Sequence, residues 1–279
     1  MGFNLPAPPE DNTFPQTAQD VANVVVGVLV AAFVVYALLE WRAGRGPLAL
    51  VLLVGGSISY LNEPMLDVLG PLWHPRIGQD VAIETFGPAP LWGLGIYTVF
   101  FGGGTYVMYR LIDHGITRRQ LWIGVACFWA VNLAVELPLL GAGLYTYYGY
   151  DTPPMMVGGL PLFWLVINAG APIAAACLLL AVPKLFEGWK VIYAALVPMT
   201  VYGAYSMATG WPVFSATHAE DLAQVWRWGA ACLTIAIGLV IINELGGWAE
   251  ARAARRGSLP GEPDQLDGAG VAVHPANVP

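Results

Sequence analysis

Two short runs of this sequence carry ionisable groups where their neighbours are apolar. YLNEPMLDVLG sets Tyr60, Glu63 and Asp67 at steps of three and four, which places them on one face of a helix. FWAVNLAVELP does the same for Trp129, Asn132 and Glu136. Charges in apolar segments are costly and mark sites of function. Burial away from water favours the neutral form of a carboxyl, and a neutral acid in a dry site can deliver a proton to an alkene or epoxide. Glu63 and Glu136 are therefore the candidate catalytic acid and base. A buried amide can tie helices together by hydrogen bonds worth about 0.6–2 kcal/mol without that charge penalty. A structural role accordingly suits Asn132 and Asn168 as well as function does, and suits the glutamates less. Asp67 stands close enough to a segment end to be merely solvated.

Further polar groups are expected at the same depth. Asn168 follows Trp164 by one turn, Tyr202 and Tyr205 fall toward one end of their segment, and Arg227 lies just inside another, within reach of a carboxylate. Between two segments runs GAGLYTYYGYDTPPMMVGGLPLFW, with Tyr145, Tyr147, Tyr148, Tyr150 and Asp151 beside glycine and proline. These tyrosines suit an interfacial aromatic belt. They also suit a cover over a cavity in which aromatic faces, Trp129 included, would stabilise a passing cation. The expected substrate-binding groups are Asp67, Trp129, Asn132, Tyr145, Tyr147, Trp164, Asn168, Tyr202 and Arg227. At the opposite end, Glu40 beside Trp41 and Arg42 reads as a boundary charge, and Asn243 and Glu244 sit about one turn from a helix end. No metal or soluble cofactor is expected, because His74, His114, His218 and His274 are scattered without ligand spacing. Cys127, Cys177 and Cys232 read as small buried hydrophobes.

The elements that must position these groups follow from composition. Of 279 residues, 57% are hydrophobic and 11% charged, against ~25% charged in an ordinary soluble domain. Lipid must be the solvent, and a net charge of -7 leaves no basic footprint for nucleic acid. Apolar stretches near 21–41, 47–69, 89–112, 119–140, 158–182, 190–210 and 223–248 each approach the ~20 residues that cross a hydrocarbon core. Each must be helical, because lipid offers backbone amides no partner. Kinks or close contacts are expected at Pro64, Gly102 to Gly104, Pro172 and Pro198. Arg42, Arg45, Arg110, Arg118, Arg119, Lys184, Lys190, Arg252, Arg255 and Arg256 would all share one side, leaving only Arg76 and Arg227. That side is the cytoplasm.

The reading is an all-α polytopic bundle of seven transmembrane helices in the cell membrane, with the N-terminus outside and the C-terminus cytoplasmic. Residues 1–20 form a flexible external segment, 21–249 the bundle, and 250–279 a disordered tail. The first span is expected to remain, since no basic residue precedes it as in a cleaved signal peptide. Trp41, Trp73, Trp92, Trp122, Trp189, Trp211 and Trp248 are expected as interfacial anchors.

Glu136, then Gly143-Leu144-Tyr145-Thr146-Tyr147, then Gly159-Leu160-Pro161-Leu162 resembles the acid, G-x-Y-x-Y and G-x-P pattern of membrane-embedded carotenoid-biosynthesis proteins, the bacterioruberin-type hydratases. The resemblance spans residues 136 to 162 and implies addition of water across an isoprenoid double bond. An acid in the second span (Glu63) and one in the seventh (Glu244) is also similar to the membrane-bound meroterpenoid cyclases, which protonate an epoxide or alkene to start cyclisation. Partners would then be membrane lipid and a hydrophobic isoprenoid. The rival class is a proton-coupled transporter or lipid-binding receptor, since buried carboxylates also relay protons. Transporters often carry internal repeats, and none is evident. A retinal protein is disfavoured, because the last span has no lysine for a Schiff base. The oligomeric state is not set by the sequence.

Overall fold

A computed structural model describes residues 7–9, 12–149 and 155–257, and these are predominantly helical. Six described helical runs are long and apolar enough to cross a membrane: Gln16–Arg45, Leu48–Leu69, Arg118–Gly141, Phe163–Ala181, Gly188–Thr217 and Gln224–Arg255. The protein is thus a multi-pass helical bundle of membrane-spanning character. The expected span near 89–112 forms a helical run of three parts, α4 (Leu91–Tyr97), a π-helical stretch (Thr98–Gly103) and α5 (Gly104–His114). Glycine, threonine and tyrosine dilute its apolar character, so it stands apart from the other six.

The first run, α1 (Gln16–Glu40), buries only Gln19, Ala22, Val26, Ala37 and Glu40, a single stripe at helical spacing. The rest of its surface shows valines such as Val24 and Val28, both more than 60% exposed, a surface suited to lipid. The centre belongs to α7 (Phe163–Ala181). Its run Ala169-Gly170-Ala171 and its Ala175-Ala176 pair are buried, and small residues let neighbouring helices approach closely. Tyr205 occupies the space where a Gly170 side chain would stand. A Cβ on Gly56, in α2 (Leu48–Ser59), would lie 2.6 Å from the Gly102 amide nitrogen, so the second run and the π-helical stretch touch backbone to backbone.

Proline and glycine break the helices in different ways. Pro64 opens α3 (Glu63–Leu69) after a 3-10 turn at Tyr60–Asn62. Pro198 falls in the first turn of α8 (Leu196–Thr217), where a missing amide is tolerated. Pro172 is carried inside continuous α7. In α6 (Arg118–Gly141), Thr117 and Gln120 form a reciprocal cap, which satisfies amides that the first turn leaves bare. The last helix, α9 (Gln224–Arg255), continues past the expected end of the bundle at 249; residues 258–279 of the expected tail lie outside the described residues.

Short strands gather at one end. β2 (Val81–Glu84) pairs antiparallel with β3 (Pro88–Pro90), and β1 (Leu72–Trp73) pairs antiparallel with β4 (Thr146–Tyr147), with Leu72 opposite Tyr147 and Trp73 opposite Thr146. The loop after α3 is also pinned to α1, because Gln19 donates to the Gly78 carbonyl and accepts from the Asp80 amide. The N-terminal stretch is therefore engaged from Phe14 onward, and Phe14 is itself buried.

Candidate functional site

A cavity lies at this end of the bundle. The last turn of the second run brings Glu63 and Asp67; α4 and the π-helical stretch bring Trp92, Tyr97 and Phe100; α6 brings Asn132 and Glu136; α7 brings Trp164 and Asn168; and α8 brings Tyr202. The β1–β4 pairing then lays His74, Tyr145 and Tyr147 across these helix ends. Helices alternate in direction, so residues near a C-terminus in one run and an N-terminus in the next meet at equal depth.

The two glutamates are held by neutral donors. Tyr97 donates its hydroxyl hydrogen to Glu63 and lies 3.2 Å from the Tyr202 hydroxyl. Tyr145 donates to Glu136 Oε2, Asn132 donates to Glu136 Oε1 at 3.1 Å, and Asn168 donates to Asn132 at 3.0 Å. Among the described residues, no Lys or Arg lines the cavity. The Nε1 of Trp164 and the Oδ1 of Asn168 are buried without a hydrogen-bond partner. Such orphan groups are costly unless a guest satisfies them. Gly70 leaves room for the Trp164 ring against the end of α3.

His74 completes the wall. Its ring lies 5.8 Å from Trp92 and 5.5 Å from Tyr145, centroid to centroid, and its Nε2 is 3.6 Å from Asp67 Oδ2. Burial pushes its pKa down to about 3, against a smaller upward pull from the Leu144 backbone. The imidazole is therefore neutral at pH 7, and its approach to Asp67 is not an ion pair. Burial also pushes the Tyr147 phenol well above its ordinary value, so it stays a neutral donor.

Nine of the expected site residues line this cavity: Glu63, Asp67, Asn132, Glu136, Tyr145, Tyr147, Trp164, Asn168 and Tyr202. Trp129 and Arg227 do not. Trp129 points its Nε1 to the Leu165 carbonyl at 2.9 Å, so its ring packs between helices. Arg227 donates to the carbonyls of Ala219 and Glu220, at 2.7 and 3.2 Å, and secures the turn into α9. Tyr205 packs on Gly170, and Glu244 is exposed beside Asn243. Tyr150 and Asp151 lie outside the described residues. Trp92 and Trp73, expected as interfacial anchors, are 5% and 8% exposed, because the paired loops fold over them; Trp41, Trp189 and Trp211 are exposed. Of the cysteines only Cys177 is buried, while Cys127 and Cys232 face outward.

Trp92, Tyr97, Phe100 and His74 belong to the cavity without having been expected there. Trp92 and Phe100 had a signal, since with Ile96 they recur at steps of four, and Tyr97 adjoins that stripe. His74 had none, because its place is set by a strand pairing with a segment far along the chain. No protein-family model matches this chain, and comparison with curated proteins and with solved structures finds no match either.

Proposed function

We propose that this protein is an integral-membrane enzyme of isoprenoid metabolism, which protonates an alkene or epoxide of a lipid-soluble terpenoid or carotenoid and leads it to hydration or cyclisation. In this reading the chain spans the cell membrane seven times, with its N-terminus outside and its C-terminus in the cytoplasm. The run Leu91–His114 is long enough to supply the seventh crossing at ~1.5 Å per residue over a ~30 Å core. Its polar dilution is tolerable because it packs on α2 rather than facing lipid alone.

The observation that carries the reading is the placing of Glu63 and Glu136, from separate helices, in one aromatic cavity with no Lys or Arg. Glu136 would give its proton to one carbon of the double bond, whose π pair forms the new C–H bond. The cation left on the neighbouring carbon would face Trp92, Trp164 and Tyr147, whose rings attract positive charge. Glu63 would take a proton from a water that adds to the cation, or from a carbon beside the cation after ring closure. On an epoxide, the same proton would go to oxygen as the C–O bond opens. The acid, G-x-Y-x-Y and G-x-P resemblance across 136 to 162 supports the same class of chemistry.

The test is mass spectrometry of lipid extracts from isoprenoid-producing cells expressing wild type or Glu136→Gln. A wild-type product heavier by one water means hydration. A product of unchanged mass with shifted retention means cyclisation or isomerisation. Extracts that match across several isoprenoid backgrounds overturn the enzymatic reading in favour of a carrier.

A further inference from the structure

One corner of the cavity has a composition that proton transfer alone does not use. Glu63 and Asp67 are one helical turn apart on α3, and the β1–β4 pairing returns His74 to the same point. One ligand atom from each lies within 4.8 Å of the others. Asp67 has 13% of its side chain exposed and accepts no hydrogen bond among the described residues; Nε2 of His74 stands 3.6 Å from its Oδ2. Tyr97 serves one oxygen of Glu63 and leaves the other open.

His74 supplies the independent observation. It is 4% exposed, it lines the cavity, and neither ring nitrogen has a partner in full hydrogen-bond geometry, the Leu144 backbone making only a marginal contact. A buried imidazole normally secures a partner. Here the polar groups about it are the Leu144 backbone and, on its Nε2 side, the Asp67 carboxylate. Trp92 and Tyr145 hold the ring in that direction.

We propose that Glu63, Asp67 and His74 bind one divalent transition-metal ion in the wall of the cavity. One imidazole and two carboxylates form a borderline donor set, which suits Mn²⁺, Fe²⁺ or Zn²⁺. Two ionised carboxylates carry the charge that a dication cancels, in a region where no Lys or Arg does so. A cation with bonds of ~2.1 Å sets its ligands ~3 to ~4.2 Å apart, so small side-chain rotations gather these three. Three protein ligands leave coordination positions open toward the cavity, as in catalytic metal sites. Coordination would engage Glu63 and leave Glu136 as the free carboxyl of the site. This inference does not depend on the isoprenoid reading, because its test measures metal and not product.

The experiment uses the full chain in detergent micelles, stripped with chelator and titrated with Mn²⁺ under electron paramagnetic resonance. The expected result is one tightly bound Mn²⁺ per chain, displaced by Zn²⁺, with nitrogen modulation from a single imidazole in the electron spin echo. Asp67→Asn and His74→Gln should each weaken binding by about tenfold to a hundredfold or more, and His74→Gln should remove the nitrogen signal. Glu244→Gln, an exposed carboxylate away from the cavity, should bind as wild type does. Wild-type protein that binds neither Mn²⁺ nor Zn²⁺ overturns the proposal. So does bound Mn²⁺ without nitrogen modulation, whatever the variants do.

Discussion

Buried carboxylates occur at both ends of this bundle, and their surroundings differ. At the end expected to face the cytoplasm, Glu40 is 7% exposed. It pairs with Arg45, with Arg110 at 3.2 Å, and accepts from the Tyr106 hydroxyl at 2.6 Å. Its charge is answered by two guanidinium groups, and the cluster ties α1 to α5. At the other end, Glu63, Asp67 and Glu136 meet tyrosine, asparagine and a neutral histidine among the described residues. Full compensation makes a joint. Withheld compensation leaves carboxyls whose charge must be met by a proton, a metal ion or a reacting cation, and an aromatic cavity stands beside them. The same residue type is thus set in two different surroundings, which differ in whether a permanent cation stands next to it.

The largest expected effect separates the two ends directly. Glu136→Gln should lower turnover by at least ~10²-fold, the scale of a lost acid or base, with the melting temperature unchanged. Single-turnover product formation and thermal unfolding measured on one preparation check both halves. Loss of folding with turnover retained would place Glu136 in the same class as Glu40.

Glu40→Gln should do the reverse. It removes charge-assisted hydrogen bonds and should cost about 2 kcal/mol of stability, with turnover per folded molecule kept. Denaturant or thermal unfolding in micelles reads the loss, and a variant as stable as wild type would remove the joint from the comparison. Tyr97→Phe is the finer probe. It takes away the donor that Glu63 has among the described residues, and should reduce turnover about tenfold, or ~1.4 kcal/mol of barrier, while stability changes by no more than ~1.5 kcal/mol. An unaltered rate would show that Glu63 does not depend on this tyrosine for its placing.

Much of this plan was legible from residue order. The spacing of Glu63 and Asp67, and of Asn132 and Glu136, gives helical faces, since both pairs lie four residues apart. Matching their depths across antiparallel helices is enough to bring Asn168 and Tyr202 to the same cavity. Arg227 stays outside the cavity lining: a cation near a helix end has bare carbonyls within reach, and it donates to those of Ala219 and Glu220. Trp129 failed because depth does not fix rotation, and its face of α6 turns to the Leu165 carbonyl. The run Leu91–His114 shows the limit of apolarity as a signal, because a helix sheltered by α2 has no need of a fully apolar surface.

By itself the sequence determined the solvent, the helical class and the axial level of the polar groups. Those follow from composition and period, which are local properties of the chain. Only the tertiary structure decided which side chains face one another. It brought His74 to Asp67 through a pairing of Leu72–Trp73 with Thr146–Tyr147, and it kept every Arg and Lys away from the cavity wall. Contacts of that kind depend on helix rotation and loop register, which are set by packing against distant segments and leave no periodic trace in the chain.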